Sequence, residues 1–256
     1  MSWRKEANLA TQHLERIMTD LAQVIQADKQ VKSQKRVADH GEVFTSQREV
    51  NAMLDLVKHE TERIDSRFLE PACGTGNFLA EILRRKLVIV TDWYASSQAQ
   101  WERFATQAIS SIYGVDILED NVAECRERLF QIVDTQYTQL FKDRCIAACR
   151  NTFRFILSRN ILWGDALNMC TPEKRAIPII FSEWSFAIGD KVKRRDFMLS
   201  FLLSTGHQMA LFSDENNSAH IPEPVKTYPL THFLTLADDP HHELQPGRTN
   251  LLSQPE

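Results

Sequence analysis

The chain has 256 residues, 43% of them hydrophobic, which suits one large domain with decorations around a real core. Its 30 lysines and arginines against 34 acids leave a net charge of −4, so no global field draws it to nucleic acid and any such contact must be local. Five cysteines without metal-ligand spacing suit a reducing compartment, and no apolar run approaches the roughly 18 residues of a membrane span; with no signal peptide in the polar N-terminus, the expected location is cytoplasmic.

In chain order, an amphipathic helix is predicted from about Ser2 to Ala27, with Leu9, Leu14, Ile17, Leu21, Val24 and Ile25 along one stripe. The run Lys29, Lys32, Lys35, Arg36 reads equally as a solvated linker or a phosphate contact. His40-Gly-Glu-Val-Phe44-Thr45-Ser46 follows, and Thr45-Ser-Gln-Arg-Glu-Val opens a second helix with a capping signal. Residues 68–79 form a short apolar run entering the turn Glu70-Pro71-Ala72-Cys73-Gly74-Thr75-Gly76-Asn77. Glycines lack the Cβ that would keep a ligand off the backbone, and a helix from Phe78 to Lys86 would aim its free N–H groups at the ligand's polar end. The dinucleotide fingerprint fits this turn poorly. Its third glycine would fall at Leu79, and the candidate ribose acid, Asp116, lies 40 residues beyond Gly76 instead of about twenty.

Residues 91–111, with Trp93, Tyr94 and Trp101, are expected to form an inserted helix at a sheet edge. A strand ends at Ile112-Tyr-Gly-Val-Asp116-Ile117, and the sequence is helical from Glu119 to Leu157, long enough for two helices. Asn160-Ile-Leu-Trp-Gly164-Asp165-Ala166-Leu167 carries the next strand. Strands near 67–70, 111–116, 160–163 and 177–182 alternate with helices as in a parallel sheet. Later, Gln208–Phe212 and Val225–Leu236 are candidate strands, Ser213–Glu223 is turn-rich, and the segment from Asp238 is rich in proline and histidine.

Glu70-Pro-Ala-Cys-Gly-Thr-Gly76 resembles the S-adenosyl-L-methionine (SAM) motif of adenine-N6 DNA methyltransferases, the kind found as modification subunits of restriction-modification systems. Three further segments resemble the same family in the right order, and together the matches run from about Gly41 to Leu167. The resemblance implies an α/β fold with a Rossmann-like class I methyltransferase core. It implies that Phe44 and Thr45 close over the amino-acid end of SAM, with Ser46 in place of the usual proline. It implies that Asp116 accepts from both ribose hydroxyls and that Asp165 faces the adenine amino group. The cofactor set implied is Phe44, Thr45, Glu70, Pro71, Cys73, Gly74, Gly76, Asn77, Asp116, Ile117, Asp165 and Ala166. Taken singly, each segment has a plainer reading. Gly-Val-Asp is a common way for a strand to leave a core, Phe44 can be a core residue, and Cys73 fits a need for small size.

The family's catalytic Asn/Asp/Ser-Pro-Pro-Tyr/Phe element is missing, since the sequence contains no Pro-Pro. Its place is filled by Ile177-Pro-Ile-Ile-Phe181, then Ser182, Glu183 and Trp184, which are the candidates for an acceptor and a stacking ring in another arrangement. The competing reading makes Ile177–Ala187 and Lys191–Phe197 a β-hairpin about Ile188-Gly189-Asp190. On it Lys191, Lys193, Arg194 and Arg195 are either a grip on a DNA backbone or a solvated edge protected by its charges. Only 91 residues follow Asp165, so the base-positioning half of the fold is expected to be shortened or rebuilt.

The expected organisation is an N-terminal helical extension over 1–40, a SAM-binding methyltransferase-like domain over 41–236 and a flexible tail over 237–256. The expected function is a SAM-dependent adenine-N6 DNA methyltransferase, with DNA and a specificity or restriction subunit as partners. Two alternatives stand beside it. One is a catalytically silent SAM-binding subunit that needs a partner, and the other a methyltransferase acting on protein or a small molecule.

Overall fold

A computed structural model describes residues 32–40, 42–173, 176–201 and 223–238. The helix predicted over Ser2–Ala27, the strand predicted over Gln208–Phe212 and the tail beyond Asp238 lie outside the described residues. The chain divides into two units, Met1–Met53 and Leu54–Glu256. The first holds α1 (Gln34–His40) and all but the last two residues of α2 (Gln47–Asp55). The capping signal is realised as a reciprocal pair: Glu49 N–H reaches Ser46 Oγ at 3.4 Å, and Ser46 N–H reaches Glu49 Oε2 at 3.1 Å.

In the second unit a parallel sheet runs in the order β1 (Phe68–Glu70), β2 (Ile112–Asp116), β3 (Ile161–Trp163). Between β1 and β2 lie α4 (Asn77–Tyr94), which follows the short α3 (Lys58–Thr61), and α5 (Gln98–Ser110). Between β2 and β3 lie α6 (Glu119–Phe141) and α7 (Ala147–Asn160). The helix expected from Phe78 to Lys86 therefore continues to Tyr94, because Leu79, Leu83, Leu87 and Val90 keep one apolar stripe buried over its length. The helix expected over 91–111 is realised as α5 only from Gln98, because Trp93 and Tyr94 lie in the last turn of α4. Trp101 of α5 is fully buried and stacks on Tyr137 of α6 at 5.4 Å.

Strand β2 is buried along its whole length, which is why it can be both apolar and central. Its residues alternate between two faces. Gly114 meets Leu79 of α4 and Cys73, and a Cβ there would lie 2.9 Å from Leu79 Cδ1. Tyr113 and Val115 pack with Leu162, Ile179, Phe181 and Leu199. Lys86, fully buried on α4, donates to Ser66 O at 2.5 Å, Ile64 O at 3.1 Å and Ser111 Oγ at 2.7 Å, so it pins the approach to β1 against the start of β2.

The segment expected as a fourth parallel strand is instead the first arm of an antiparallel hairpin, β4 (Ile180–Ile188) and β5 (Lys191–Met198). Gly189 turns it with φ +55°, the conformation a two-residue hairpin loop demands. Two short strands, β6 (Lys226–Thr227) and β7 (Thr231–His232), pair with β5. The hairpin is part of the core, with Tyr113 meeting Phe181 edge to face at 5.4 Å and donating from its hydroxyl to Ser182 O at 3.1 Å. It is thus not the solvated edge the sequence offered as one reading. Among the described residues no helix is long and apolar enough to cross a membrane.

Candidate functional site

The carboxyl ends of three parallel strands meet at one rim, where open α/β sheets bind ligands. There the chain leaves β1 through Pro71 and Ala72, both exposed, and turns back under Cys73, whose N–H bonds Val115 O at 2.9 Å. Gly74 and Gly76 have φ of +52° and +85°, the left-handed region in which a side chain is strained. Gly76 is also the N-cap of α4 and packs against α6: a Cβ on it would sit 2.6 Å from Cys125 Sγ. Both glycines are therefore required by the turn itself.

Asp116 ties this turn to β2. Its Oδ2 accepts the Gly74 N–H at 2.8 Å, and its Oδ1 accepts from Leu118 N at 2.9 Å and Asn121 Nδ2 at 3.3 Å. A carboxylate offers about four lone-pair positions, so three are already engaged and a diol binding here would exchange with one of them. Glu70, half-buried at the end of β1, has its carboxyl pushed above the usual glutamate range by burial. Cys73 is buried against Cys125, and that neighbouring thiol together with desolvation holds it protonated. Cys73 packs beside Gly114, where an added Cβ would lie 3.1 Å from the Cys73 Cβ and Sγ.

On the third strand, Gly164 donates its N–H to Asp116 O at 3.0 Å, bringing Asp165 to the same rim. The Asp165 carboxylate curls into its own loop, accepting from Leu167 N at 2.9 Å, Asn168 N at 3.2 Å and Asn168 Nδ2 at 2.6 Å. These bonds hold its pKa below the usual aspartate range. Ala166 packs inward against the hairpin core. Ile117 is 44% exposed, and Trp163 donates its indole N–H to Ile117 O at 2.9 Å, so an apolar shelf flanks Asp116. Phe44 and Thr45 belong to the Met1–Met53 unit.

The hairpin corrects two expectations. Ser182 is 2% exposed and donates to Asp196 Oδ1 at 2.7 Å, while Trp184 is buried and donates its indole N–H to Asn160 Oδ1 at 2.9 Å. Glu183 pairs with Arg67 and Arg195, each at 2.8 Å. Ser182, Glu183 and Trp184 are thus fully used as a structural network, and none is presented as a base-holding acceptor or stacking ring. The four cations also do not form one cluster. Arg194 is 4% exposed, bonds Asp196 through two nitrogens at 2.9 and 2.8 Å, and lies 4.0 Å from the Tyr228 ring. It shares the inward face with Trp184 and Ser182, whereas Lys191, Lys193 and Arg195 alternate on the other. Only Lys191 and Lys193 are exposed among the four.

Sequence reading missed the part α6 plays. Asn121, Cys125 and Arg128 recur at intervals of four and three and so share one helix face, and that face backs the glycine turn. The spacing was visible, but nothing in it says what the face meets. The chain matches no protein-family model, no curated protein and no solved structure.

Proposed function

We propose that this chain binds SAM at the rim of its parallel sheet and belongs functionally with the adenine-N6 DNA methyltransferases. The observation that carries the reading is the bond from Gly74 N–H to Asp116 Oδ2, which joins a two-glycine, left-handed turn to an acid at the end of the next strand. On this reading the helix N-terminus of α4, approached over the side-chain-free Gly74, receives the carboxylate end of SAM. Glu70 receives its ammonium, Asp116 its ribose, and the Ile117–Trp163 shelf its adenine. Direct methyl transfer then needs mainly approach and alignment of the acceptor amine with the sulfonium carbon.

A second reading is supported by the burial of Ser182 and Trp184: a SAM-binding subunit that is silent until a partner supplies the base-holding element and DNA specificity. Incubation with methyl-labelled SAM and unmethylated genomic DNA, with and without the products of neighbouring genes, separates the two. Label in DNA from the chain alone supports the enzyme, and label only with a partner supports the subunit. Bound SAM with no transfer to DNA in either arm, but transfer to protein, would move the substrate class.

A further inference from the structure

The glycine turn is fastened from behind by a residue that no motif marks. Arg128, half-buried on α6, donates from one nitrogen to Asn77 Oδ1 at 2.6 Å and to Thr75 O at 3.3 Å. These two acceptors stand on either side of Gly76, the N-cap residue of α4, which has a φ of +85° and no side chain to cap the helix start. Within the same face of α6, Asn121 reaches Asp116 at 3.3 Å and Cys125 fills the space a Gly76 side chain would need. We propose that Arg128 is a positioning residue: bridging Thr75 and Asn77 across Gly76, it sets the shape of the ligand turn without touching the ligand.

Ordering a loose turn costs binding free energy. A glycine in the left-handed region has wide freedom in the absence of restraint, and a turn that wanders must be ordered by its ligand at the ligand's expense. Asp116 fixes the turn at Gly74. Gly76 is held by backbone bonds alone, its N–H donating to Cys73 O and its C=O accepting from Ala80 N–H, each at 2.8 Å, and the Arg128 bridge adds a side-chain tie across it where the turn exits into α4. A guanidinium suits this work because its donors diverge in a fixed plane, so one nitrogen can serve two acceptors. Lysine, with a single ammonium on a flexible stem, would retain the charge and part of the bonding.

This inference rests on the SAM reading for its ligand but not for its structural content, so the test has two arms. In the first, SAM is titrated into the intact chain and into Arg128→Met and Arg128→Lys. The expected result is affinity lowered about tenfold in the methionine variant, the scale of one charge-assisted hydrogen bond, and partly restored by lysine. In the second, amide hydrogen exchange is read without ligand. Faster exchange confined to Thr75–Phe78, at an unchanged denaturation midpoint, is expected. Unchanged exchange in the turn overturns the proposal whether or not the chain binds SAM, and so does equal SAM affinity in all three proteins. If the intact chain binds no SAM, the functional reading fails while the exchange arm still decides the role of Arg128. A lowered midpoint with exchange raised throughout, in Arg128→Met and in the milder Arg128→Gln alike, makes Arg128 an ordinary packing residue and also overturns it.

Discussion

Gly76 is constrained twice over, by a backbone angle that disfavours side chains and by the Cys125 sulfur 2.6 Å from where a Cβ would be. The two constraints separate by mutation. Gly76→Ala should cost about 2–3 kcal/mol, of which the left-handed strain is about 1–2 kcal/mol. Adding Cys125→Ala should recover the clash and leave the strain, a coupling that a double-mutant cycle of denaturation midpoints measures. Glu70 offers a pH test. Because burial raises its pKa, the folded state holds this proton more tightly than the unfolded state does. Its ionisation therefore costs stability as pH rises through the window between the ordinary glutamate value and the raised one. A ligand ammonium reverses that cost, so SAM affinity should climb with pH across the same window. Titrations at several pH values should show the climb in the parent protein and a flat, weaker profile in Glu70→Gln. A climb that survives Glu70→Gln would assign it to another group.

Among the elements, the β4–β5 hairpin has most to say about how sequence encodes position. Its two arms and its Gly189 turn were legible, because period-two patterning and a glycine that tolerates positive φ are local signals. Its depth was not. A strand bearing Arg194 and Asp196 reads as exposed until Ser182, Tyr228 and the Phe155 and Trp184 rings are known to surround the pair. Burial of a charge depends on partners far apart in sequence, and no local pattern reports them. The glycine turn was legible for the opposite reason, since its chemistry is confined to consecutive residues. Asp116 was found by the strand it ends, but its bond to Gly74 spans 42 positions. Trp184→Ala should accordingly lower stability by about 3–5 kcal/mol, through lost packing and the abandoned Asn160 acceptor, while leaving SAM affinity unchanged. Denaturant unfolding alongside calorimetry checks both halves. A loss of SAM affinity at full stability would return this strand to the site.

Over the whole molecule, a net charge of −4 leaves nucleic-acid binding to local cations, and the burial of Arg194 removes one of the four on the hairpin. Lys191 and Lys193 remain exposed, and Arg195 is shared with Glu183. Duplex DNA binding by the chain alone should thus be weak and unselective. Lys191→Gln with Lys193→Gln should flatten the plot of log K against log salt by about 0.9 for each phosphate no longer neutralised, and Arg194→Met should disturb folding instead. A DNA affinity measured over a salt series tests this, and tight, sequence-selective binding would reveal a reading element elsewhere. The proposed SAM site has a sharper test, because its parts converge on one bond between the glycine turn and Asp116. Calorimetric titration of SAM into the intact chain and into Asp116→Ala tests that convergence most directly. Binding at micromolar level is expected, weakened by about 1.5–3 kcal/mol in the variant as charge-assisted hydrogen bonds disappear. No heat from the intact chain, or the same affinity in both proteins, would contradict it.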